Sequence, residues 1–199
     1  MEDIRRTLLG VLPIFISGCG SAVLTDVPEV AHESAGQGLL TREDVTDLPP
    51  GTAIGDAFDG RRYRFVSFTI ASCSCRINET SVEDPCDVFE LTIPDNSVIG
   101  IRQVDGQIEL VDVGTQSPTA PVSTGPGTID SDGSFIVGAI GPAFHLDTGE
   151  TVGETFVMWR GQILDAFLFV DFVIRGRSFL SDEEADCQIA GTQSYARDQ

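Results

Sequence analysis

The chain has 199 residues, 12 basic and 31 acidic side chains, and a formal net charge of -19. That balance argues against nucleic acid and anionic lipid headgroups as partners, because their phosphates repel it. The length leaves room for one domain with a real hydrophobic core. At the start, Arg5 and Arg6 precede a mostly apolar stretch from Thr7 to Ile16, followed by Ser17, Gly18 and Cys19. A short charged region, an apolar run and small residues form the pattern of a cleavable export signal. The run is shorter than the roughly 20 apolar residues that span a bilayer, and Pro13 interrupts it as a helix.

Ile16-Ser17-Gly18-Cys19 resembles the lipobox of bacterial lipoproteins. The resemblance implies that residues 1–18 are a signal peptide and that Cys19 is lipidated and becomes the mature N-terminus. It also implies a diacylglyceryl group, often with a third acyl chain such as palmitate, and a place in the cell envelope. Each buried methylene contributes about 0.8 kcal/mol, so several chains hold a protein to a membrane without a spanning segment. Gly20, where an aspartate favours inner-membrane retention, implies the outer membrane in a Gram-negative cell and the cell surface otherwise. Arg5-Arg6-Thr7-Leu8-Leu9 also resembles a twin-arginine signal, so export by either the Sec or the Tat route stays open.

Residues 19–52 read as a flexible acidic tether, too polar to offset the entropy of ordering, and close on Pro49-Pro50-Gly51. Within them, a short helix over Thr41 to Thr46 is expected, with Leu39 and Leu40 docking on the domain. Residues 53–199 then read as the folded domain. Arg62 to Ala71 and Asp87 to Ile93 alternate with a period of two, as half-buried strands do. Val98 to Val104 and Gln107 to Val113 flank Asp105-Gly106, a strong hairpin signal because both residues tolerate positive φ. After a Pro-, Ser- and Thr-rich loop from Gly114 to Gly127, further strands are expected over residues 134–140, 143–146, 154–159, 162–174 and 187–196. Asp132-Gly133, Thr148-Gly149 and Arg160-Gly161 read as the turns among them. The fold class is therefore all-β, a single antiparallel up-and-down barrel of about eight strands, since closure removes exposed edges. In strand count and hairpin rhythm, residues 60–197 resemble lipocalin-like barrels, which implies an interior able to take a small apolar ligand. The first strand opens on Gly60-Arg61-Arg62 where lipocalins have Gly-x-Trp, which keeps a β-sandwich as the alternative.

Cys73, Cys75, Cys86 and Cys187 form an even set, as expected for two disulfides in an oxidising compartment. Cys-Ser-Cys with scattered partners lacks zinc-knuckle spacing. Cys73 and Cys75 are too close to bridge each other without strain, which leaves two pairings. In a closed meander the last strand lies antiparallel beside the first, and this geometry favours Cys73 with Cys187 and Cys75 with Cys86.

Few residues suggest chemistry. Asp130-Ser131-Asp132-Gly133 has the spacing of part of a calcium loop, but Thr128 and Ala139 occupy the end positions where acidic ligands belong, so a solvated turn is expected. His145 and Asp147 lack a nucleophile in an elbow motif, and Asn78-Glu79-Thr80 reads as a loop cap. No enzyme activity, cofactor or metal is expected. Over Ile163 to Ile174 both strand faces are apolar, so Phe167 and Phe169, with Trp159 nearby, are the candidate interaction or ligand-lining residues. The expected role is that of a lipid-anchored envelope protein with a structural or interaction function, the alternative being a binder of a small apolar ligand; the protein partner or ligand itself is not specified.

Overall fold

The computed structural model describes residues 38–88, 97–113, 125–144, 150–180 and 183–198. The first element is α1, Arg42–Thr46, set by a capping box: the Thr41 hydroxyl accepts from the Asp44 N–H, and the Asp44 carboxylate accepts from the Thr41 N–H at 2.7 Å. Five residues do not hold a helix in water unaided, so α1 depends on what it packs against.

Among the described residues nine strands follow: β1 (Arg62–Ile77), β2 (Thr80–Ser81), β3 (Val98–Val104), β4 (Gln107–Asp112), β5 (Gly127–Ile129), β6 (Ser134–Phe144), β7 (Thr151–Ile163), β8 (Phe167–Leu180) and β9 (Glu183–Arg197). Every pairing is antiparallel. Neighbours in sequence pair from β3 to β9, β1 pairs with β3, and β9 returns to β1, so eight strands form a barrel-like ring. The short β2 lies beside the far end of β1. This closed meander is the expected architecture, and the sandwich alternative falls. Two turns follow their local chemistry: Asp105 has φ 50° in the β3–β4 hairpin, and Asn78 and Glu79 both have positive φ between β1 and β2.

The interior is filled by alternate residues of the ring. Tyr63, Ile101, Leu110, Ile129, Leu168, Phe172 and Ile189 are among its most deeply buried side chains. Two inward glycines admit aromatic rings from the neighbouring strand. Phe172 lies over Gly191, and Phe135 lies over Gly161; a Cβ at either glycine would meet the ring at 2.8 Å. This corrects the expected turn at Arg160-Gly161: β7 runs through both residues to Ile163, and the chain reverses at residues 164–166. Gly161 is there for the Phe135 ring. Residues 134–140 and 143–146 were likewise expected as separate strands, but β6 is continuous through Gly141 and Pro142 to Phe144. The expected strand at 87–93 lies mostly outside the described residues, as does Thr148-Gly149.

One end of the ring is plugged by residues 51–60. The Ala53 N–H donates to the Ile129 carbonyl at 3.1 Å, and Ala53 and Phe58 join the core. The buried Gln103 amide ties the plug down: its Oε1 accepts from the Phe58 N–H at 3.0 Å, and its Nε2 donates to the Gly55 and Asp105 carbonyls at 2.6 Å. A buried amide satisfied at both ends stabilises; a half-satisfied one does not.

Candidate functional site

The seam between β1 and β9 carries the disulfides. Cys75 bonds to Cys187, and Cys73 bonds to Cys86 with Cα atoms 5.2 Å apart. All four cysteines are used as expected, but the partners are exchanged. The cause is register. Tyr63 faces Arg197, and an unbroken ladder from that pair would set Cys73 opposite Cys187. Bulges between Phe65 and Ser67 and between Ile70 and Ser72 each insert one residue in β1, so Cys75 faces Cys187 instead. Cys73 then faces Ile189 and reaches the turn at Pro85–Val88.

On the outer wall a strap formed by residues 38–47 lies across four strands, although this stretch falls within the expected tether. Gln188 of β9 accepts from the Leu40 N–H at 2.7 Å through Oε1, and its Nε2 donates to the Gly38 carbonyl at 3.3 Å. Arg175 of β8 donates to the Leu40 carbonyl at 2.7 Å while gripping Asp186 through two bonds of 2.5 and 2.7 Å. That bidentate pair fixes the guanidinium and holds Arg175 even more firmly protonated than usual. Leu40 and Val45 are buried against Phe156 and Met158 of β7, with Ile136 and Val173 beside them. Arg42 pairs with Glu154 at 2.5 Å and lies over the Phe156 ring. Gly138 of β6 has no side chain where the Val45 backbone rests, which brings the helix directly onto the sheet. The expected short helix and the docking of Leu40 are therefore present; Leu39 stays exposed.

The Asp44 carboxyl is held below its usual range, first by the Thr41 hydroxyl and then by the Thr41 N–H. A carboxyl whose folded pKa is lowered contributes stability above its unfolded value and loses it as pH falls through the folded value. The cap should therefore weaken as pH drops below about 4, the ordinary aspartate value. Carboxyl-carbon NMR titration should place the Asp44 midpoint below that value, and an ordinary midpoint would contradict the capping contact.

The other expected site residues separate. Trp159 pairs across β7–β8 with Phe172 and faces the interior, whereas Phe167 and Phe169 face outward. They are not one cluster: on β8, Phe167 and Phe169 stand five and three residues from Phe172, the partner of Trp159, and residues an odd number apart on a regular strand lie on opposite faces. The two phenylalanines are half-buried and stack on each other at 5.9 Å. The strap covers Val173 on the same face, which explains part of the doubly apolar pattern. Inside the ring, Trp159 Nε1 and Thr155 Oγ1 are buried without a hydrogen-bond partner among the described residues. Tyr195 is buried too; its hydroxyl donates to Gln193 Oε1 at 2.8 Å, and burial pushes the phenol far above its ordinary range.

The acidic turn is a hairpin between β5 and β6. Asp130 accepts from the Thr52 N–H at 3.0 Å and the Thr52 hydroxyl at 2.7 Å, and Asp132 accepts from the Ser134 N–H at 2.9 Å. No group of three potential metal ligands occurs among the described residues. Cys19, His145 and Asp147 lie outside them. The strap groove was the part of the outer wall that sequence reasoning missed, and its signal was weak: Arg175 and Gln188 are single polar residues in strands. A scan of protein-family models gave no match to the chain, and a search of curated proteins gave none either.

Proposed function

We propose that this is a lipid-anchored, non-catalytic protein of the cell envelope with a structural or interaction role. The observation that carries this reading is the filled interior: Phe172, Leu168, Ile189 and Tyr63 occupy the space that a ligand would need, so the outer wall is the working surface. The lipobox-like Cys19 and the two disulfides support an exported location. Gly20 supports the outer membrane where the envelope has one. Cys19→Ala should move the protein from the detergent phase to the aqueous phase and abolish labelling by radioactive palmitate. Retention of the variant in the membrane fraction would sink the anchoring claim.

A second reading, binding of a small apolar molecule inside the ring, is favoured by the unpartnered Trp159 Nε1 and Thr155 Oγ1 on the inward face of β7. Native mass spectrometry of protein from its own host separates the two. A retained mass of a few hundred daltons supports the ligand reading, and a bare chain supports the first.

A further inference from the structure

We propose that the strap is exchangeable, and that the groove it fills is a docking site for the strap of a second copy of this chain. The groove is built for this peptide. It reads the backbone at Leu40 on both sides, the N–H through Gln188 and the carbonyl through Arg175, and provides apolar surface for Leu40 and Val45. Arg160, Arg175 and Arg177 lie on the outer face of β7 and β8, and the strap sets the Asp44 carboxylate in the field of Arg160. The same contacts form whether the strap comes from its own body or from a neighbour.

The joint between strap and body permits the exchange. Asp47, Pro49 and Pro50 are exposed, and the next fixed point is Gly51, whose backbone packs on Gly106 and Ile129. Prolines keep this joint extended and stop α1 from continuing through it. Release gives up the burial of Leu40 and Val45, the Gln188 and Arg175 bonds to the strap backbone and the Arg42–Glu154 pair, all of which re-form when the strap of another copy takes its place. Swapping an identical element between copies leaves the contacts unchanged and is a low-cost route to association. A short linker holds a segment at an effective concentration on the order of millimolar, so dilute protein keeps its strap at home and crowded protein exchanges it. The net charge of -19 opposes approach of two copies, so the exchange should strengthen with salt.

The test uses two full-length variants, each also carrying Cys19→Ala to remove lipid-driven clustering. Val45→Asp spoils the strap but leaves the groove, and Gly138→Leu blocks the groove but leaves the strap. Each alone should sediment as a monomer. Their equimolar mixture, at roughly 0.5 M salt where screening reaches a few ångströms, should form a one-to-one complex near millimolar concentration. A mixture that stays monomeric while emission from Trp159 shows both variants folded would overturn the proposal. A labelled peptide of residues 36–47, titrated into the Val45→Asp variant, gives an independent reading should Gly138→Leu fail to fold. Saturable binding that Arg175→Met weakens at least tenfold supports exchange, and no binding at several millimolar refutes it.

Discussion

Replacing Cys75 and Cys187 together by alanine should lower the thermal midpoint by roughly 10–20 °C, more than replacing Cys73 and Cys86. The two bridges differ in the chain they close: the sequence separation is 112 for Cys75–Cys187 and 13 for Cys73–Cys86. On the chain-entropy account the longer loop contributes about 4 to 5 kcal/mol and the shorter about 3 kcal/mol. For a domain of this size each kcal/mol corresponds to about 2–4 °C. Burial acts in the same direction, since Cys187 is fully buried and Cys75 nearly so, while Cys86 is exposed. Thermal unfolding followed by tryptophan emission measures the difference, because Trp159 is the single tryptophan. Equal losses from the two double variants would contradict the entropic ranking, and an unreduced peptide linking Cys73 to Cys187 would contradict the pairing itself.

Phe172→Ala should destabilise the protein by about 3–5 kcal/mol, the range for removing a buried aromatic ring from a core that cannot collapse around it. Phe172 is 1% exposed, and its ring roofs Gly191, which has no side chain with which to fill the gap. Trp159, directly across the β7–β8 pair, would lose the same neighbour, so its emission should shift along with the midpoint. Phe169→Ala is the matched control. It lies three residues away on the opposite face, half-buried and stacked only on Phe167 among the ring contacts, and should lose about 1 kcal/mol. Urea unfolding of the two variants decides the matter: a loss at Phe169 as large as that at Phe172 would mean that the outer face, not the interior, holds the ring together.

The alternation over Arg62 to Ala71 and the turn at Asp105-Gly106 illustrate what local sequence carries and where it stops. Asp105-Gly106 was readable because tolerance of positive φ is a local property of such residues, and the hairpin forms there with Asp105 at positive φ. Period-two alternation identified most strands and hence the closed meander. Gly161 was misread because a turn glycine and a strand glycine look alike locally; what distinguishes it is the ring of Phe135, far away in sequence. The disulfide partners failed for a related reason. Topology placed β9 beside β1 correctly, but two single-residue bulges decide which cysteine faces Cys187, and no residue type marks Val66 or Ala71 as bulged. The strap groove was least legible, since its grip is on backbone atoms of Leu40 and depends on an absent side chain at Gly138.

The strap's path also determines how the molecule answers a mechanical load. A pull applied through the chain before Gly38 meets the Gln188 bonds first, then the Arg175 bond to Leu40, and only afterwards the Val45 contact on β6. These attachments lie in series along the strap and come under tension one after another, as in peeling tape, instead of sharing the load as in shear. The strap therefore bears such a load before the ladder from β1 to β9 and its Cys75–Cys187 bridge do. Residues 38–47 so released are ten residues of chain, at most roughly 35 Å when fully drawn out, and they extend before the ring feels any strain.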